Sequence, residues 1–296
     1  MFDKNGFARI KNGEETWSLV AAGDICPIAR VEKGLLKGGP EAVMSKDIVE
    51  VLKSGGVTLV NLESPLCTQK DPIPKTGPNF IAAPEVADIL KSAGVDIAAL
   101  ANNHILDQGA QGLDETIRVL DSAGIRSHGA GISPEQAAAP AVLTHEGRDI
   151  AFLNVAEGEF GGSQNDGPGA ARLDISRTCG RIREAASSYD VVIVSVHAGN
   201  EYQPYPSPLL QDVYRQFVNA GAKVVVGHHP HISQGIEIYG SGIILYSLGN
   251  FLFDYEGHAG KACTKIGYLA CLGFSGLDVV SIQLKPYRTL SNASIK

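Results

Sequence analysis

An α/β fold with a largely parallel sheet is what this sequence predicts, and three observations carry the prediction. Short apolar runs recur along the chain, amphipathic segments lie between most of them, and several of those segments stop at a glycine just before the next run. The runs occupy 18–22, 57–60, 97–101, 191–196 and 224–226; they hold no charged residue and only Ser18, Thr58 and Ser195 as polar ones, as suits strands buried on both faces. Helical spacing marks 45–53, 84–92, 111–123, 175–187 and 209–220. Ser-Ala-Gly at 92–94 and 122–124 and Asn-Ala-Gly at 219–221 supply stop signals, because glycine enters the left-handed conformation at a helix end without steric penalty. Their flanks differ and their spacing is irregular, so they read as recurring punctuation and not as an internal repeat.

Two stretches read as hairpins, 141–154 turning near Glu146-Gly147 and 235–246 turning at Gly240-Ser241-Gly242, and a third pairs 265–274 with 277–284. Antiparallel pairs late in an alternating chain predict a mixed sheet, or two sheets packed face to face between helices. The Pro-rich loop 64–84 and the Gly-rich loop 157–171 interrupt the pattern without dividing it, so residues 1–296 read as one domain with its core at about 18–285.

With 44% hydrophobic and 19% charged residues the chain has the make-up of a folded globular protein. A formal charge of -7 argues against a nucleic-acid or anionic-membrane surface, both of which require clustered Lys and Arg. Five cysteines, odd in number and without CxxC spacing, suggest neither a disulfide framework nor a thiolate zinc cage, and so a reducing compartment. The first twenty residues lack a basic and then apolar export signal, and no run of eighteen apolar residues occurs. The residues present therefore read as soluble and cytoplasmic; had an anchor been removed, the protein would act outside the cytoplasm.

Polar residues collect where the strands end. Asp24, Glu63, Asn103-His104, His197 and His229 to His231 each fall at the carboxyl end of an apolar run or just beyond it, where the strands of a parallel sheet deliver side chains to one edge. Taken singly, each has an ordinary structural reading: an Asp after a strand caps a helix, and a lone His is satisfied in a core. Three imidazoles in Gly-His-His-Pro-His at 227–231 have little packing rationale, and the set together predicts a metal site. Its oxygen and nitrogen donors suit Mn, Fe or Zn alike. A cation there would let a negatively charged protein take an anionic ester.

The ordered motifs GD at 23–24, NLESPL at 61–66, ANNHILDQG at 101–109, HAGNEY at 197–202, GHHPHISQG at 227–235 and YSLGNFLFD at 246–254 make the chain resemble the capsule-synthesis (CapA-type, poly-γ-glutamate biosynthesis) branch of the calcineurin-like metallophosphatase superfamily. The resemblance spans about 18–285. It implies a four-layer αββα sandwich with mixed sheets and a divalent metal centre, of two ions or of one. By position, Asp24 would bind one ion, Glu63 would bridge in the place usually held by an Asp, Asn103 would bind the second, and His197, His229 and His231 would complete the shells. Cys26 stands where the superfamily has a histidine, as a thiolate ligand or as no ligand. His104 would serve as general acid or transition-state stabiliser, oriented by Asp107, while Glu201, Tyr202, Asn250 and His228 would contact substrate or support the ligands.

Three functions follow from that resemblance. The first is phosphoester hydrolysis by a metal-bound hydroxide, on an anionic small molecule or polymer. The second is metal-dependent modification of a peptide, at a Cα or an amide bond. The third is a non-catalytic scaffold in polymer synthesis.

Overall fold

The structure of the protein, a computed structural model, describes residues 2–162 and 167–296. From the N-terminus the chain forms β1 (Phe7–Arg9), β2 (Trp17–Cys26), α1 (Ala29–Gly38), α2 (Lys46–Ser54), β3 (Val57–Leu62), α3 (Val86–Ser92), β4 (Ile97–Ala99), α4 (Gly109–Ser122) and β5 (Arg126–His128). The short β6 (Ala130–Gly131) and α5 (Pro134–Ala138) lead to β7 (Ala141–His145), β8 (Arg148–Ala156), β9 (Gly169–Ala170), α6 (Ile175–Ser188), β10 (Val191–His197), α7 (Pro208–Ala220) and β11 (Val224–His228). The C-terminal part holds β12 (Ile236–Tyr239), β13 (Gly242–Leu245), β14 (Asn250–Phe253), β15 (Ile266–Ser275) and β16 (Asp278–Arg288), with two short 3-10 turns, Glu256–His258 and Ala262–Lys265, between β14 and β15.

Among the described residues the strands make two large mixed sheets. The first runs β1-β16-β15-β2-β3-β4-β5, with β14 also on β2, and the second runs β12-β13-β11-β10-β8-β7. The parallel pairs of each, β2-β3-β4-β5 and β8-β10-β11-β13, hold the apolar runs of the sequence. All three hairpins form, and the stop glycines Gly94, Gly124 and Gly221 have φ of 102°, 76° and 123°.

Why both sheets are covered on both faces follows from side-chain alternation along their strands. On the first sheet Val20, Val60 and Leu62 pack under Val31, Leu52, Leu90 and Leu113 of α1 to α4. On the second, Val192, Val194 and Val225 pack under Ile182 and Phe217 of α6 and α7. The opposite faces meet each other: Leu19, Leu59 and Ile97 of one sheet form a single apolar layer with Phe152, Ile193 and Val226 of the other. This is the αββα sandwich.

The strands run longer than the apolar runs suggest. β2 continues through Asp24 to Cys26, and β10 and β11 end on His197 and His228, so polar residues that a hydropathy reading places beyond the strands are their last rungs. Helix α1, with apolar residues only at intervals, carries too weak a pattern to stand out in the sequence; its buried Val31 and Leu35 show the face it covers. No described helix is long and apolar enough to cross a membrane.

Candidate metal centre

Both sheets deliver their site residues at the same edge, and glycine sets how closely they approach. A Cβ on Gly23 would lie 1.8 Å from Gly249 O, so only glycine lets the turn before β14 close on β2. Asp24 N then donates to Gly249 O at 2.9 Å, and β14 takes the place beside the carboxyl half of β2 that β15 holds along the other half. Glu63, one residue past β3, is fixed by its N–H to Ile25 O at 2.7 Å. On the second sheet, the terminal rungs His197 and His228 are paired in register. Beyond them His229 and His231 have φ of 94° and 58°, left-handed values that cost a non-glycine residue about 1–3 kcal/mol and persist only where the surroundings enforce them.

These elements bring together the residues that the motifs single out. Ligand atoms of Asp24, Glu63 and His197 all lie within 4.8 Å of one another, and all three residues are buried. Glu63 Oε1 is 3.7 Å from His231 Nε2 and 3.8 Å from His197 Nε2; His197 Nε2 is also 3.1 Å from Asn103 Oδ1 and 3.1 Å from His229 Nδ1. Asp24 faces His228 Nδ1 at 3.0 Å and His231 Nδ1 at 3.5 Å. The donor set fits a divalent cation: carboxylates, imidazoles and an amide converge, and the buried Glu63 Oε1 has no hydrogen-bond partner among the described residues.

Without a cation the cluster must share its charge internally. Burial pushes the Glu63 carboxyl well up against the opposing charge of His231. Burial acts upward on Asp24 too, but hydrogen bonds and charge from His228 and His231 outweigh it and hold that carboxyl well below its usual range. For His231 burial is outweighed by Glu63 and Asp24, which raise it to about 9. Burial, with the neighbouring imidazoles, lowers His197 and His229, leaving them neutral and able to donate a lone pair.

His104 has a support of its own. Its Nδ1 donates to Asp107 Oδ2 at 2.7 Å, and Asp107 is held in turn by Phe80 N at 2.6 Å and by the ammonium of Lys75, whose side chain is 1% exposed. The Phe80 ring covers the imidazole at 4.3 Å between centroids. Burial lowers the His104 pKa; Asp107 opposes this and Lys75 reinforces it.

The remaining sequence-singled residues are placed as follows. His231, His104 and Tyr202 line a cleft of about 350 Å³ together with Phe80, Tyr255 and Lys261. Tyr202 lies against His231 with ring centroids 6.2 Å apart and carries Lys261 Nζ over its own ring at 4.4 Å. Glu201 is exposed and lines the same cleft beside Tyr202. Asn250 Oδ1 accepts from His231 Nδ1 at 2.9 Å. Cys26 is buried against Phe80 and Phe253, and burial with the charge of Glu63 pushes its thiol well up, which disfavours a thiolate.

Several site residues carry no signal in the sequence that reading strand ends would catch. Asn61, inside NLESPL, donates to Asp24 Oδ1 at 2.9 Å and reaches Glu63 Oε2 at 3.4 Å, so it orients both carboxylates. Its position in the motif is a signal of sorts. Lys75 and His258 come from irregular segments and could not be placed without the fold; His258 packs on His231 at 4.8 Å between ring centroids and meets Asn250 Nδ2 at 3.2 Å. Glu157 and Glu159, after β8, lie with His229, their ligand atoms within 4.8 Å of one another. Of the Gly-rich loop 157–171 in which they sit, residues 163–166 lie outside the described residues.

Comparison with known proteins adds relatives to this geometry. The model of the family described as bacterial capsule synthesis protein PGA_cap matches residues 18–255. The chain is 33% identical over 193 residues to a capsule biosynthesis protein CapA of Bacillus anthracis, covering 63% of this chain and 47% of that protein. It is 36% identical over 158 residues to a PGA biosynthesis protein CapA of Bacillus subtilis, covering 52% and 41%. The chain thus spans about half the length of the curated relatives it matches. Among solved structures, a hypothetical protein of Thermus thermophilus superposes with a TM-score of 0.57 at 15% identity, over 92% of this chain and 99% of that one. A 5'-nucleotidase precursor of the same organism superposes at 0.52 with 15% identity, over 94% of this chain and 55% of that one. These two likenesses concern the fold.

Proposed function

Because the chain belongs to the bacterial capsule synthesis protein PGA_cap family and has a metallophosphatase-like fold, we propose that it is a metal-dependent hydrolase acting on a phosphoester or a related anionic ester. The observation that carries this reading is the convergence of Asp24, Glu63 and His197, with a buried carboxylate oxygen of Glu63 that has no hydrogen-bond partner among the described residues. Asp24, Glu63, Asn103, His197, His229 and His231 would hold the ion or ions, with Asn61 orienting the two carboxylates. A divalent cation at such a set supplies Lewis acidity toward a phosphoryl oxygen and acidifies water.

The chain's own residues do the rest. His104, turned by Asp107 so that Nδ1 donates inward, presents Nε2 as the ring nitrogen left to exchange a proton with substrate. Tyr202, Tyr255 and Phe80 form an apolar wall, and Lys261 offers a cation to an anionic substrate. Incubating the Mn-loaded protein with aryl phosphates tests this: turnover is expected, with loss of turnover in His197→Ala. A metal-loaded, folded protein inert toward a broad phosphoester panel would refute it.

The same imidazole admits a second reading. The lowered pKa of His104 makes it a proton acceptor at neutral pH, which suits abstraction of a proton beside a peptide carbonyl as well as it suits hydrolysis. Incubation with peptides in heavy water separates the two, since Cα exchange leaves deuterium in the product and phosphoester hydrolysis does not.

A further inference from the structure

We propose that Glu157, Glu159 and His229 form a second cation position, neighbouring the Asp24–Glu63–His197 cluster and served by acidic residues outside the motifs that the resemblance supplies. The inference rests on the reading that the strand-end cluster holds a cation. It deepens that reading by assigning two further ligands.

Position comes first. Glu157 directly follows β8, the strand beside β10, and its N–H donates to His197 O at 3.1 Å, so it stands at the same sheet edge as the histidine. The turn that follows is locked down: Glu159 N donates to Glu157 O at 2.8 Å, and Gly162 N to Glu159 O at 3.1 Å. A Cβ on Gly161 would come within 1.9 Å of Asn102 O, so the turn lies directly on the backbone that carries Asn103. Asn103 Nδ2 in turn donates to Glu159 Oε2 at 3.0 Å.

An unpartnered donor points into this group. His229 is 3% exposed, its Nε2 makes no hydrogen bond among the described residues, and it lies 3.8 Å from Glu157 Oε1, too far for one and suited to an atom between them. Neither glutamate is paired with a Lys or Arg among the described residues. Two carboxylates and an imidazole at such spacing are the ligand types of Mn or Zn. The other ring nitrogen, His229 Nδ1, is 3.1 Å from His197 Nε2, so the two imidazoles join the two clusters.

Metal content and calorimetric titration with MnCl2 test the assignment without recourse to activity. Wild-type protein is expected to take two Mn per chain, Glu157→Gln/Glu159→Gln one, and Asp24→Asn the other one. Glu159→Gln alone, at an exposed position, is expected to weaken the second step by about 10–100-fold, as loss of a supporting carboxylate does. Unchanged circular dichroism and melting temperature would show that a variant's loss is local. If the double variant titrates like wild type, the inference falls while the first cluster stands. If only the Asp24→Asn-sensitive ion binds, the inference falls as well. A single ion that survives Asp24→Asn but not the double variant would overturn both, because the inference requires the strand-end cluster to hold the other ion.

Discussion

The two sheets contribute different chemistry to the same edge. The first supplies oxygen and amide donors, Asp24 on β2, Glu63 after β3 and Asn103 after β4, whereas the second supplies imidazoles, His197 on β10 and His229 and His231 after β11. Neither half is a complete ligand set. The first would leave carboxylates buried without countercharge, and the second would crowd neutral imidazoles together. The difference teaches that the site is a property of the interface between sheets, and so it depends on the apolar layer that holds them in register.

The largest expected effect comes from breaking that layer. Phe152 on β8 is fully buried between the sheets and meets His128 of the first sheet at 6.1 Å between ring centroids. Phe152→Ala is expected to cost about 3–5 kcal/mol in a denaturant titration, and to weaken metal uptake although the residue touches no ligand.

Next in size is a change that keeps both halves but removes the group beside them. His104→Ala is expected to lower kcat about 10²–10⁴-fold while metal content stays at the wild-type value. Loss of metal in that variant would place His104 among the ligands.

A smaller effect acts on the first half alone. Gly23→Ala drives a methyl toward Gly249 O and should destabilise by about 1–3 kcal/mol, with Asp24 and β14 displaced together and the histidine half intact.

The finest test of the comparison is pH, on metal-free protein. His231 is raised to about 9, so its stabilising contact with Asp24 and Glu63 is complete below the ordinary histidine range and is lost as pH climbs through 9. Glu63, also raised, pushes in the same direction, since folding favours its protonated form. Asp24 is depressed, so its share is present above the ordinary aspartate range and is lost as pH falls. Melting temperature should therefore decline from about pH 6.5 to 9, and added Mn should flatten the decline by stabilising the charged carboxylates.

How much was legible depended on what kind of signal each element left. The apolar runs announce β3, β10 and β11, because a strand covered on both faces must be largely apolar. The hairpins turning at Glu146-Gly147 and at Gly240 are equally local, set by these residues' positive φ. The motif residues Asp24, Glu63, Asn103, His197 and His231 can be named from the sequence because each stands beside such a run. Lys75 could not: it sits in a Pro-rich loop with no periodicity, and only folding carries it to Asp107 and His104.

The sequence by itself determined the central strands, the three hairpins, most helices, the family resemblance and the candidate ligands, but not the short β1, β5, β6, β9 and β14, since only the former follow from local hydrophobicity, turn residues and short ordered motifs. Tertiary structure alone decided which of these donors come together, that Asn61 reaches two carboxylates at once, that Cys26 is buried against Phe80 and Phe253, and that Glu157 and Glu159 stand beside His229. The physical reason is distance along the chain: Asp24 and His228 are 204 residues apart yet meet at 3.0 Å, and no local pattern encodes a contact made only when two sheets close on each other.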